Sequence, residues 1–295
     1  MTRRAATPYE RFQWERSAAF PDDPNLTLTY VYELRGAFDI DRLESALQQV
    51  LETDFPGLRN YFVEVGSELR AMLRPVPTRM LLTCNSKKEI FDLGPLNPRS
   101  QQLYRFAIWI GGENSALLRV DLSHLVCDGP SVRDFNVALS AAWRGEAVRY
   151  GDDSSFEYPC ARKDAKDFWT NRLRNRALHQ PWGFEHEMPL HASQPVSALR
   201  RLGVREHGKM RSLLKLTGAT ETQLMITLTA ALVGMRSGSD DPLVIAHTAD
   251  VRPSPDRLGC WTNLLPIWVE SEQASRSVSE LLEEVRQQRR EIRPF

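Results

Sequence analysis

Residues 116–130 read ALLRVDLSHLVCDGP. The stretch begins as a strand. Successive strand side chains alternate, so Leu118, Val120, Leu122 and His124 share one face and Arg119, Asp121 and Ser123 the other. It ends as a helix start, because Pro130 suits the first helical turn and Val132, Phe135, Leu139 and Trp143 recur at helical spacing. In between, a histidine stands at a strand end and an Asp-Gly pair opens the helix. Two readings fit these residues. In one, His124 is a packed histidine whose ring nitrogens find backbone partners, and Asp128 is an ordinary helix cap. In the other, His124 faces a cleft and takes a proton from an amine or hydroxyl, with the Asp128–Gly129 turn fixing the ring.

The surrounding pattern is mixed α/β (α+β). Upstream, LTLTYVYELR (26–35) alternates as a strand, Asp39 caps a helix carrying Ile40, Leu43, Leu47 and Val50 on one stripe, and a strand follows near 60–65. Residues 103–110 and 116–124 form an adjacent strand pair, which predicts an antiparallel or mixed sheet. A polar, turn-rich stretch at 151–165 marks a boundary, giving lobes of 1–163 and 164–295. The second lobe restarts the theme with helices at 164–177, 205–216 and 221–236. The last of these is opened by a Thr220–Gln223 capping box. Strands at 242–249 and 262–270 and a helix capped by Ser277 and Glu280, running to about 291, complete it.

Composition narrows the function classes. The 295 residues carry 38 Lys and Arg against 38 Asp and Glu, which argues against a nucleic-acid binder with its basic face. The basic runs RLRNR (172–176) and RQQRR (286–290) read as solvated helix faces. No apolar run approaches the roughly 20 residues of a membrane span, and the N-terminus lacks the apolar core of a signal peptide. Cys84, Cys127, Cys160 and Cys260 show no metal spacing and read as reduced thiols, so a cytoplasmic location is expected. Cys127 lacks a basic partner in sequence and reads as a buried thiol rather than a nucleophile. His179, His186, His191 and His207 lie in polar stretches, and His247 sits in an apolar strand. No phosphate-binding glycine loop, GxSxG elbow or HExxH zinc motif is present.

The order of segments resembles the condensation domains of nonribosomal peptide synthetases, which share the chloramphenicol-acetyltransferase-like fold of two lobes in a V shape. TPYERFQWER (7–16) is similar to the family's opening motif, and YELRGAFDIDRLESALQQVL to its first strand and helix. GLRNYF (57–62) is similar to its Leu-Arg-Thr-x-Phe motif, SHLVCDG (123–129) to its His-His-x-x-x-Asp-Gly signature, and RPSPDRLGCWTNLLPIWV (252–269) to its Gly-x-Phe-Val-Asn-Thr-Leu-Pro segment. The resemblance implies that His124 acts as base on, or positions, an amine attacking a thioester. It implies a structural Asp128 paired with an arginine, for which Arg59 is the candidate. It also implies a Gly129 backbone near the reacting carbonyl and an Asn263 near the cleft. The implied reaction moves an acyl group from one carrier protein's 4′-phosphopantetheine thioester to an amine on another, forming an amide. The domain itself would hold no cofactor or metal. Its partners would be carrier domains and an adjacent adenylation domain, with no nucleic acid and no membrane.

Departures from the family pattern accompany these matches. Ser123 replaces the signature's first histidine, although strand alternation turns that position away from His124, and related acyltransferases use His-x-x-x-Asp alone. The interval from Phe62 to His124 is short, and DFPGLR lacks the usual His-Glu lead. EIRPF (291–295) resembles the family's penultimate motif, so the segment that closes the tunnel floor is expected to be missing and the second lobe incomplete. The chain then reads as an excised piece or a shortened domain, and the opening MTRR suggests a natural N-terminus in an initiating module. Two functions follow: an amide-forming domain with His124 as base, or a degenerate condensation-like platform that docks neighbouring synthetase domains. A coenzyme A-dependent acyltransferase shares the histidine chemistry but would need a coenzyme A site that the sequence does not display.

Overall fold

The computed structural model describes residues 3–148, 163–174, 201–237, 242–252, 258–269 and 276–292. Cys160, most of the 151–165 boundary, the end of the 164–177 helix, His179, His186, His191 and residues 253–257 and 293–295 lie outside them. The chain divides into two compact units, Met1–Ala161 with Asp250–Thr262, and Arg162–Ala249 with Asn263–Phe295. The expected lobe of 164–295 therefore does not hold as one piece, because Asp250–Thr262 belongs to the first unit. The physical reason is local: Asp128, at the start of a first-unit helix, binds Arg252, the Trp261 amide and the Thr262 hydroxyl.

The first unit opens with β1 (Arg3–Ala5) and α1 (Pro8–Ala19), followed by β2 (Thr27–Arg35) and α2 (Ile40–Gln49). Asp39 caps α2 through the amides of Asp41 and Arg42, and a wider helical turn continues it over Val50–Asp54. Next come β3 (Asn60–Val65), β4 (Glu68–Leu73), β5 (Leu81–Cys84) and α3 (Lys87–Asp92). The unit's later elements are β6 (Tyr104–Gly112), β7 (Ser115–Ser123) and α4 (Gly129–Trp143). A mixed sheet runs β2-β7-β6-β5, antiparallel except for the parallel β5–β6 pair, and a smaller sheet runs β1-β4-β3. The α1, β1, β4, β5 and α3 elements were not anticipated from the residue pattern.

The α2 stripe holds through Leu43, Leu47 and Val50, all buried, whereas Ile40 at the helix entrance is exposed. Val132 and Phe135 of α4 meet that stripe in one core with Leu118, Val120 and Leu122 of β7, and Leu139 and Trp143 pack at its edge. Arg42 ties α2 to α4, donating to the Trp143 carbonyl at 2.9 Å with its guanidinium 4.8 Å above the Trp143 ring.

The polar face of β7 is not a solvent face. Arg119, Asp121 and Ser123 are all buried beneath the α3 region. Arg105 and Arg119 both donate to the Asp121 carboxylate, and Arg119 also reaches the Ile90 carbonyl. A buried charge of this kind survives only when paired and hydrogen-bonded, as Asp121 is on both sides.

The second unit contains α5 (Lys163–Leu173), α6 (Val204–Thr217), α7 (Glu221–Ser237), a β8 (Leu243–Asp250) and β9 (Thr262–Val269) pair, and α8 (Val278–Ile292). The Thr220–Gln223 capping box forms in both directions, and Ser277 and Glu280 cap α8 reciprocally. Ile226, Ala230, Ile267, Val269, Leu281 and Val285 make its core. Arg172 is not the solvated residue expected of its basic run. Its guanidinium lies 5.6 Å from the Phe168 ring and 5.5 Å from the Trp268 ring and donates to Gln288 and Glu291. Arginine is suited to this because its planar, weakly hydrated head stacks on aromatic faces while its donors remain in use. Among the described residues no helix is long and apolar enough to cross a membrane.

Candidate active site

His124 follows the last residue of β7, and the sheet holds its backbone: its amide donates to the Leu26 carbonyl at 2.8 Å. The preceding Ser123 is fully buried. Its amide bonds Leu103, and its hydroxyl accepts from the Leu125 amide at 3.2 Å, shaping the turn that leaves the strand. Ser123 thus builds the turn, while His124 is only partly buried.

Two residues face one side of the imidazole. The Tyr9 hydroxyl lies 3.4 Å and the Cys260 thiol 3.7 Å from His124 Nδ1, and Gln13 donates its amide to the Tyr9 oxygen. Tyr9 and Gln13 stand one turn apart on α1, so a single helix face delivers both. Burial holds the His124 imidazole below its ordinary value. The carbonyls of His124 itself and Cys127 and the Asp128 carboxylate pull the other way, and the Arg16 charge pushes it down. The ring is therefore neutral at pH 7, the state a proton acceptor needs. Burial pushes the Tyr9 hydroxyl and the Cys127 and Cys260 thiols up, so none of them is ionised there.

Below the histidine, Asp128 organises the turn. Its carboxylate is fully buried and caps α4 through the Ser131 amide at 2.9 Å. It also accepts from Arg252 Nη2 at 2.8 Å, from the Trp261 amide at 2.9 Å and from the Thr262 hydroxyl at 3.4 Å. The Asp128 partner is therefore Arg252, not Arg59. Arg59 instead donates to the Arg74 carbonyl at 2.8 Å, beside β3 and β4. Arg252 reaches across because Asp250 grips its Nε at 2.7 Å, an anchor that turns Nη2 toward Asp128. The same loop is fixed a second time where the Ser131 hydroxyl donates to the Gly259 carbonyl at 2.7 Å.

Gly129 is the first residue of α4, and an added Cβ there would meet nothing within 4 Å, so the helix entrance stays open. Asn263 begins the second segment of the second unit, and its side-chain oxygen accepts from the Leu264 amide at 2.9 Å. The structure thus gathers His124, Ser123, Asp128 and Gly129 at one turn, places Arg59 elsewhere, and adds Tyr9, Gln13, Arg252 and Cys260. Among the described residues no group of three or more His, Cys, Asp or Glu side chains could hold a metal ion.

Comparison with known proteins gives a consistent picture. The model of the family described as Condensation domain matches residues 8–294. Bacitracin synthase 1 of Bacillus licheniformis is 22% identical over 259 residues, covering 81% of this chain and 5% of that protein. Bacitracin synthase 3 of the same organism is 21% identical over 254 residues, 79% of this chain and 4% of that protein. The chain thus spans a small fraction of the curated relatives it matches. The X-domain from teicoplanin biosynthesis superposes with a TM-score of 0.74 at 19% identity, covering 98% of this chain and 70% of that one. The first condensation domain of the calcium-dependent antibiotic synthetase, in complex with a substrate analogue, gives 0.72 at 18%, covering 97% and 73%.

Proposed function

The chain belongs to the condensation-domain family, and we propose that it forms an amide by transferring a carrier-bound acyl group to an amine, with His124 accepting the proton. The observation that carries the reading is the placement of His124: a half-buried imidazole at a strand end, whose burial disfavours its charged form, above a turn that the Asp128–Arg252 pair pins. The acyl donor is a thioester on the 4′-phosphopantetheine arm of a carrier domain, and the acceptor amine comes from a second carrier. Neither arm is a resident cofactor; both are substrates. Carrier domains and an adenylation domain are the partners of such a domain in a multidomain synthetase, and the cytoplasm is where those partners work.

The step balances simply. The amine lone pair attacks the thioester carbonyl carbon, so a C–N bond forms and the carbonyl electrons move to oxygen. His124 takes the proton that the nitrogen sheds. The intermediate then collapses, the C–S bond breaks, and the proton ends on the departing thiolate. Room above Gly129 leaves the α4 N-terminus accessible, where the helix dipole favours negative charge on the carbonyl oxygen. Asp128 and Arg252 act through the turn and touch no reacting atom. The Tyr9 hydroxyl and Cys260 thiol, both un-ionised, bound the Nδ1 side of the ring without competing for the proton.

The test is a single-turnover assay within the parent synthetase, with acyl-loaded donor carrier and amine-loaded acceptor carrier read by intact-protein mass spectrometry. His124→Ala should lower the transfer rate roughly a hundredfold or more, the usual scale for a general base. Unchanged transfer would remove the catalytic reading and leave the fold as a docking platform.

A further inference from the structure

Arg59, displaced from the role its motif suggested, belongs to a different feature. It lines a cavity of about 400 Å³ in the first unit together with Arg74, Arg79, Arg105, Tyr104 and Gln101, and no Asp or Glu lines it. We propose that this cavity binds a phosphate-class anion, an inorganic phosphate or the polyphosphate of a nucleotide.

The charges are the reason. Arg105 donates to Asp121 at 2.8 Å, a carboxylate it shares with Arg119. The other three have no carboxylate partner among the described residues. Arg74 lies 4.9 Å over the Tyr61 ring and donates to the Gln101 side-chain oxygen at 3.0 Å, which leaves its charge uncompensated. Arg59 spends one amine on the Arg74 carbonyl, and its Nε is buried without a partner. Arg79, in the exposed approach to β5, makes no hydrogen bond or ion pair among the described residues. The Arg59 and Arg74 fields reach the Tyr104 hydroxyl, where they oppose the upward push of burial.

Arrangement points the same way. Gln101 ends the Pro98–Ser100 turn in a left-handed backbone, φ 68°. From that conformation its side-chain amide donates to the Phe62 carbonyl and its side-chain oxygen receives Arg74. Gln101 therefore holds a guanidinium that has no anionic partner among the described residues. Guanidinium forks bind phosphate oxygens in pairs, and a few hundred Å³ suits a small ligand. The cavity shares no lining residue with the His124 turn, and the proposal does not rest on the acyl-transfer reading.

Isothermal titration of the full chain with inorganic pyrophosphate, and with ATP in a second arm, tests this. Pyrophosphate should bind, weaken as NaCl rises, and lose roughly tenfold or more in Arg59→Gln and Arg79→Gln. Tighter binding of ATP than pyrophosphate, competing with it, assigns the anion to a nucleotide, and equal or weaker binding assigns a free phosphate. Arg79 is exposed, so Arg79→Gln decides alone if Arg59→Gln fails to fold by circular dichroism. Absence of binding in both arms, or binding unchanged in folded Arg79→Gln, overturns the proposal.

Discussion

Replacing Arg252 by Met probes the brace under the His124 turn. The Asp128 carboxylate is fully buried and the Arg252 side chain only 7% exposed, so neither charge is screened by water. Removing one partner of a buried pair costs about 3–5 kcal/mol, because the other charge remains in a low-dielectric site. Two backbone amides, from Ser131 and Trp261, still serve Asp128, which sets the expectation at the lower end, about 3 kcal/mol. Asp128→Asn leaves Arg252 its Asp250 partner but turns an amide donor toward other donors, for about 1–3 kcal/mol. In the double variant no buried charge is stranded, so its cost should fall short of the sum by about 2 kcal/mol or more. Urea unfolding with a constant slope reads all three. A cost for Arg252→Met below about 1 kcal/mol, the level of an exposed pair, would refute the reasoning, and so would additivity to within about 0.5 kcal/mol.

Three further outcomes follow from the same geometry. Tyr9→Phe removes the acceptor of the Gln13 amide, whose oxygen is already buried without a partner, so it should cost about 1–3 kcal/mol in urea unfolding. In a Cys160→Ser background the buried, un-ionised Cys84, Cys127 and Cys260 thiols should not label with a disulfide reagent at pH 7 until the protein unfolds. Fast labelling of the native state would contradict their burial. The pH dependence of stability has a definite sign. His124 binds its proton more weakly folded than unfolded, so the unfolded state takes up protons first as pH falls below about 6.5, and the folded state loses stability there. His124→Gln should reduce that acid loss while leaving the pH dependence above pH 7 unchanged, as followed by thermal melts from pH 5 to 8.

The residue pattern disclosed the strand–turn–helix around His124 because both flanking periods are strong and one core absorbs them. Leu118, Val120 and Leu122 alternate, and Val132 and Phe135 step at helical spacing. The pattern did not disclose α1, whose buried residues are Glu10, Gln13, Trp14 and Ser17 and so make no apolar stripe. Its start was nevertheless written in the sequence, as Thr7 and Glu10 form a capping box around Pro8. Short strands such as β5, four residues with a parallel partner, carry too little period to stand out. Within the site, local rules could find Asp128 as a helix cap but not Arg252, whose partner lies 124 residues away. The family resemblance supplied the need for an arginine there and pointed to the wrong one, because only folding brings the 250–262 loop onto α4.

The central claim is that a neutral His124 accepts the proton, and the pH profile of kcat/KM for amide formation tests it most directly. The acceptor amine titrates alike with both proteins, so the ratio of wild-type to His124→Ala rates isolates the imidazole and should fall as pH drops through a value below 6.5, where the ring gains its proton. A ratio that does not change with pH, or one that falls at a midpoint above 6.5, would contradict the account.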